Sequence, residues 1–312
     1  MAENLDPGAR AAAEQKARKA VRDAARLEEP AEDRKGKEIV PPWEKDATGI
    51  SLVDTHAHID GEDFDGDREE MLSRAEKAGV VAVVTFGDTM ESSARVVKLT
   101  SSHENVFAGV GVHPENAFPF TQADEDRLAA WTKEKNIVAI GEIGLDYHWN
   151  VYPREVQKEA FIKQWELAAE LGLPIEIHSR DAAEDTMNIV REMYAREQAA
   201  GRALRADMHC YSYSPEQASE YAKMGLYFGI GGVLTFKNAK KLREVVDAVP
   251  IDRLLLETDC PYLAPEPHRG SRNYSGYLHN VVAEFARIKG LTEEAIEDIT
   301  YANACRFFNL QG

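Results

Sequence analysis

A parallel (β/α)8 barrel is the fold that this chain predicts, and three observations predict it. From Ile50 onward, short β-branched or apolar runs alternate with longer stretches of helical spacing. The alternation gives eight strands within roughly 250 residues, the size of such a barrel. No Gly-rich phosphate turn follows the first strand, which counts against the alternative, a doubly wound open sheet.

Taken in order, Ser51–Thr55 opens the series as an apolar run closed by a β-branched residue. Arg68–Ala78 then has helical spacing, and Val80–Phe86 is almost wholly β-branched. Ser92–Thr100 leads to the third strand, Val106–Val112, and Glu125–Glu134 to the fourth, Ile137–Gly141. Glu155–Leu171 precedes Pro174–Ile177, and Ala182–Glu197 precedes the short run Ala206–Met208. Pro215–Met224 carries Pro at its first helical position, where the missing N–H costs nothing. Leu226–Ile230, Lys240–Val249 and Arg253–Glu257 complete the alternation, and Ser275–Phe308 reads as two closing helices.

Residues 1–46 form a separate arm, and residues 47–312 form the barrel. In Ala11–Arg26 the apolar side chains are nearly all Ala, so a helix there has little to bury. Pro41-Pro42-Trp43 ends it. Lys and Arg number 37 against 54 Asp and Glu, a net charge of −17, which excludes a globally basic nucleic-acid coat or polybasic membrane protein. A nucleic-acid enzyme with a local basic mouth remains open. No apolar run approaches the ~18 residues of a membrane span, and the charged N-terminus lacks the apolar core of a secretory signal. Cys210, Cys260 and Cys305 are too few and too scattered for a disulfide framework. The expectation is a cytoplasmic protein with no membrane contact and no stable protein partner.

The strongest local signal is Val53-Asp54-Thr55-His56-Ala57-His58. Side chains at i and i+2 of a strand share a face, so both imidazoles can reach one ion. An isolated H-x-H is more often a plain histidine pair, but this one ends a first barrel strand, where barrel enzymes build their sites. Glu142, His178, His209 and Asp259 end strands four, five, six and eight. Together the six residues place four imidazoles and two carboxylates on one rim, and cations between them offset the cost of gathering the acids. Six ligands suit two ions sharing a carboxylate. Glu142 is the natural bridge, with His56, His58 and Asp259 on the first ion and His178 and His209 on the second. Nitrogen and oxygen donors without thiolate admit Mg, Mn, Zn, Co or Fe. Strand alternation turns Cys210 and Cys260 away from the site, as buried packing residues.

These motifs resemble the TatD family of metal-dependent hydrolases, within the wider amidohydrolase barrel group. The resemblance covers about residues 50–310. It is carried by Leu52-Val-Asp-Thr-His-Ala-His-Ile-Asp60, Pro174-Ile-Glu-Ile-His-Ser-Arg-Asp-Ala-Ala-Glu184 and Pro250-Ile-Asp-Arg-Leu-Leu-Leu-Glu-Thr-Asp-Cys-Pro261. Gly141-Glu-Ile-Gly-Leu-Asp146 and Gly229-Ile-Gly-Gly-Val-Leu-Thr-Phe236 resemble two further family segments. The resemblance implies one or two divalent ions and, as in several members, a Mg-stimulated DNase or 3′–5′ exonuclease. Other relatives act on different ester-linked substrates.

Around that centre, Arg180 stands at the rim, where its guanidinium can take a phosphate bidentately or pair with a nearby acid. Pro267-His-Arg-Gly-Ser-Arg-Asn273 resembles the family's basic loop after strand eight, which implies Arg269 and Arg272 as phosphate contacts. His113, ending strand three, is placed to hydrogen-bond substrate or leaving group. His103, His148 and His279 read as ordinary rim or surface residues. The substrate shell departs from the family pattern: Ser271 stands where Lys is expected, Tyr274-Ser275 where Glu-Pro is, Tyr213 where Gly is usual, and Glu115 in place of a frequent second His. A lost Lys weakens phosphate attraction, whereas Tyr213 or Tyr274 can stack on a base. The leading expectation is a metal-dependent phosphodiesterase acting on ends of single-stranded DNA or RNA, or on a small phosphodiester. Asp259 takes the proton of the attacking water and Glu142 spaces the ions. The alternatives are hydrolysis of a carboxylic ester, aminoacyl ester, lactone or amide on the same ions, and a non-catalytic binding protein on a retained barrel.

Overall fold

The computed structural model describes residues 51–149 and 151–310. The expected arm, residues 1–46, lies outside the described residues. Eight parallel strands run in sequence order around one sheet: β1 (Leu52–Ala57), β2 (Val80–Phe86), β3 (Val106–Val110), β4 (Ile137–Asp146), β5 (Ile175–Arg180), β6 (Ala206–Met208), β7 (Tyr227–Ile230) and β8 (Leu254–Leu256). Parallel neighbours need a crossover, and helices supply it. These are α1 (Arg68–Lys77), α2 (Met90–Ser102), α3 (Gln122–Trp131), α4 (Arg154–Leu171), α5 (Ala183–Ala199), α6 (Pro215–Lys223) and α7 (Lys240–Ala248), while α8 (Leu278–Lys289) and α9 (Glu293–Phe308) follow β8. β8 returns to β1 through a bridge between Ala57 and Cys260, with His58 N donating to Cys260 O at 2.8 Å. The barrel is thus nearly closed.

Boundaries moved where local chemistry outweighs the apolar pattern. α2 begins at Met90 because Thr89 caps it, with Ser92 returning the bond. Thr121 and Asp124 do the same for α3. The fourth strand runs five residues past the expected Gly141, to Asp146. It continues because Gly144, Leu145 and Asp146 pair with His178, Ser179 and Arg180. Gly144 permits that approach: its φ is +143°, and a Cβ there would lie 2.0 Å from His178 O.

The interior is layered. Val53, Ala82, Val84, Phe86, Ala139, Tyr227 and Leu255 form one cluster inside the barrel, closed by Phe307 and Phe308 of α9. Two residues farther along their strands, on the same face, stand acids: Glu257 beyond Leu255, with Glu176 and Asp207 paired across β5 and β6. All three are fully buried. The expected metal ligands lie one step beyond this acidic layer. Among the described residues, no helix is long and apolar enough to cross a membrane.

Candidate metal centre

All six expected ligands converge. His56 and His58 face each other through their Nε2 atoms at 3.1 Å. Glu142 Oε2 lies 3.7 Å from each, and Asp259 Oδ1 lies 3.4 Å from His58 Nε2 and 4.0 Å from His56 Nε2. Ligands about 2.1 Å from one tetrahedral ion stand roughly 3.4 Å apart, so this donor set fits one. Glu142 Oε1 faces the other way, 2.7 Å from His178 Nδ1 and 3.8 Å from His209 Nε2. The two oxygens of one carboxylate therefore address two groups of imidazoles.

Several elements aim these side chains. In β1 the pairing register shifts between Asp54 and Ala57, which breaks strict alternation where the histidines begin. Asp259 has φ +56° and donates its N–H to His56 O at 2.9 Å, tying the end of β8 to β1. Asp54 accepts from Thr258 N at 2.9 Å and Thr258 Oγ1 at 2.6 Å, fixing the residue before Asp259.

The outer ring nitrogens decide what the inner ones can do. His56 Nδ1 donates to Glu176 Oε1 at 3.0 Å, His209 Nδ1 to Glu257 Oε2 at 3.1 Å, and His58 Nδ1 to Phe86 O at 3.2 Å. Each bond leaves an Nε2 lone pair pointing inward, the arrangement of histidines that hold metal. Two lone pairs at 3.1 Å need a positive charge between them. Without metal a proton supplies it: burial opposes charge on His58, but the Asp259 and Glu142 carboxylates outweigh it and raise the imidazole to about 10. His56 is pushed well below its ordinary value by burial and by the charge on His209. His178 lies between Glu142 and Asp146, with Nε2 3.0 Å from Asp146 Oδ2, and these carboxylates override burial to raise it to about 10. Burial opposes charge on Glu142 too, but His113, His209 and His178 together hold its carboxyl well below the usual range.

His113 differs from the other imidazoles. Its Nδ1 accepts from Glu115 N at 3.2 Å, so the neutral ring carries its proton on Nε2, 3.7 Å from Glu142 Oε1. Burial and the neighbouring His178 lower its pKa to about 4. The ring therefore stays neutral and presents a donor toward the centre.

The expected phosphate contacts do not share one environment. Arg180 is exposed at the end of β5, its guanidinium 5.4 Å from the Trp149 ring centre. Arg269 is exposed and lies 4.2 Å over Phe236. Arg272 is committed elsewhere: it forks onto both carboxylate oxygens of Asp67 and lies 5.0 Å over Phe64. Sequence alone could not show that Asp67 reaches it. The two tyrosines expected as stacking partners differ: Tyr274 is buried and Tyr213 is half-buried. Arg74 lies over the Tyr274 ring, and the Tyr213 hydroxyl is fixed between Ser179 Oγ and Ala182 N.

His103 and His148 pair with Glu69 and Asp181 at the surface, but His279 is buried and bonds Ala78 O at 2.7 Å. Cys260 is buried as expected. Cys210 is half-buried and lies past the end of β6 at φ +45°, so strand alternation does not govern it.

Five acids around the centre were not singled out from sequence: Asp54, Asp146, Glu176, Asp207 and Glu257. Four of them stand two residues before an expected ligand, as Asp54–His56, Glu176–His178, Asp207–His209 and Glu257–Asp259. The period of two that pointed to the ligands would have pointed to them as well. Gly229 shows how closely they pack, because a Cβ there would lie 1.9 Å from Glu257 Oε2.

A family model described as TatD related DNase matches residues 53–309. A protein named uncharacterized metal-dependent hydrolase YabD, from Bacillus subtilis, is 43% identical over 263 residues, covering 83% of this chain and 99% of that one. One named 3′-5′ ssDNA/RNA exonuclease TatD, from Cronobacter sakazakii, is 35% identical over 263 residues, covering 82% and 97%. Among solved structures, the TatD homolog YjjV from Escherichia coli matches with a TM-score of 0.76 at 28% identity, covering 83% of this chain and 98% of that one.

Proposed function

The chain belongs to the TatD family of metal-dependent hydrolases, and on that premise we propose that it is a phosphodiesterase trimming 3′ ends of single-stranded DNA or RNA. The observation that carries the reading is the division of Glu142. Its Oε2 faces His56 and His58, and its Oε1 faces His178, His209 and His113. We assign His56, His58, Glu142 and Asp259 to a first divalent ion and Glu142, His178 and His209 to a second. The donors admit Mg, Mn, Zn, Co or Fe. Bound there, divalent ions supply charge that offsets the phosphate's and lower the pKa of an attacking water. The relatives named as exonucleases support the choice of nucleic acid.

The chain's own groups then take separate tasks. Asp259 accepts the proton of the attacking water. His113 donates its Nε2–H to the oxygen leaving phosphorus. Glu176 and Glu257 orient His56 and His209. Arg180 draws a phosphate to the rim. Three free thiols fit a reducing cytoplasm, with nucleic-acid ends as the partner the protein meets there. The domain reading follows the same lines: an arm over residues 1–46 and a hydrolase barrel over 47–312.

A panel of labelled single-stranded oligonucleotides and small uncharged esters, each with Mg, Mn and Zn, tests the reading. The expected result is shortening of the oligonucleotides from the 3′ end, abolished by a chelator and largely lost in Asp259→Asn. Turnover of the esters alone would replace it with the carboxylic-ester alternative. No turnover of any substrate would favour a binding protein.

A further inference from the structure

Among the described residues, three of the large apolar side chains that stay exposed, Phe118, Trp149 and Leu263, lie on loops that follow β3, β4 and β8. Single exposed apolar residues are ordinary. What distinguishes Trp149 is its attachment. Its backbone N–H donates to Asp146 Oδ1 at 3.0 Å, as does the backbone N–H of His148 at 2.9 Å. The other oxygen of that carboxylate stands 3.0 Å from His178 Nε2. The loop is thus pinned to a residue that touches the metal centre.

The indole itself is held, yet left open. The His148 ring meets it edge-on at 4.8 Å and 86°, and His148 is in turn held by Asp181 at 3.0 Å. Arg180 brings its guanidinium to 5.4 Å from the ring centre. Even so, Trp149 remains 38% exposed. A π surface that is partly open and carries a cation over its ring, on a loop anchored to the metal centre, matches a ligand that joins a flat ring to an anion. A nucleotide is such a ligand.

We propose that the exposed part of Trp149 is the platform on which a base of the substrate strand stacks, with Arg180, which lies over the ring, taking the adjoining phosphate. The proposal rests on the phosphodiester reading and deepens it. It explains how a chain of net charge −17 holds a polyanion with few cations at the rim: part of the affinity is stacking, which the acidic exterior does not oppose. It also makes recognition tolerant of base identity, because every base has a π face.

The test uses the metal-loaded, full-length protein and 5′-labelled single-stranded oligonucleotides. One set is intact, and in the other a single abasic residue is placed at successive positions near the 3′ end. For the wild type, KM rises about tenfold when the base that meets Trp149 is missing, in line with stacking measured elsewhere by truncation. Trp149→Ala loses that discrimination, so that intact and abasic strands become alike, while Trp149→Phe keeps most of it. A Trp149→Ala enzyme that still discriminates as the wild type does, or that loses equally on both strands, overturns the proposal. If the wild type shortens no strand, the phosphodiester reading itself falls and takes this inference with it. If it shortens strands regardless of residue 149, only the inference falls.

Discussion

At the scale of single residues, the centre depends as much on what lies behind the histidines as on the histidines themselves. Glu176 and Glu257 hold the outer nitrogens of His56 and His209. Losing such a partner typically weakens metal binding by about 10–100-fold. Glu176→Ala should therefore weaken metal affinity by that order while leaving the circular dichroism spectrum native, and a competition titration with a chromophoric chelator reads the change. Asp54 does comparable work for Asp259 through Thr258. Asp54→Ala leaves two buried donors without an acceptor, so the expected loss is about 1–3 kcal/mol of stability, read by urea unfolding. The six ligand candidates were legible in the sequence because each ends an apolar run. Glu176, Asp207 and Glu257 were not read, because an acid inside such a run looks like an interruption until its position two before a ligand is noticed. The pairing of Arg272 with Asp67 was not legible, because an arginine near a ligand strand says nothing about a partner far away in sequence.

At the scale of elements, the β5, β6 and β8 segments jointly bury three carboxyls in one layer. Burial, and then the neighbouring carboxylates, push Glu176 and Asp207 well above the usual carboxylate range. The folded metal-free protein thus holds protons that the unfolded chain gives up above about pH 4. The stability that these two groups contribute is full below that pH and falls as pH rises toward the raised values. Both Asp207 oxygens and Glu176 Oε2 are buried without a hydrogen-bond partner. Asp207→Asn can donate to Glu176 Oε2 and removes one charge, so the metal-free variant should melt higher than wild type at pH 8, with a smaller gain at pH 5. Thermal scans at both values check this. Strand and helix identities were legible throughout, because eight apolar runs separated by helical stretches leave few arrangements. The length of β4 was not: its last residues contain Gly144, which reads as a break in isolation and is a point of close approach in the barrel. Helix starts were missed where Thr89 and Thr121 cap them, since caps are polar and precede the apolar pattern.

At the scale of the whole molecule, charge and metal act together. A protein of net charge −17 repels a nucleic acid at long range, and on the proposed reading it holds one through few local contacts, so KM for an oligonucleotide should rise only mildly with salt. Kinetics at several ionic strengths read the slope, and a steep one would point to an extended basic face. A protein beginning at Ala47 should stay folded and active within a few-fold of the full chain, since no ligand candidate lies in residues 1–46; collapse of activity would show the arm to be part of the enzyme. The central claim is that Glu142 divides one cluster into two ion sites. It is tested most directly by titrating the metal-free protein with Mn2+ or Zn2+ and counting ions per chain. The wild type should take up two ions, and each of His58→Ala and His178→Ala one. A wild type that takes up no more than one ion, or variants that still take two, would contradict it.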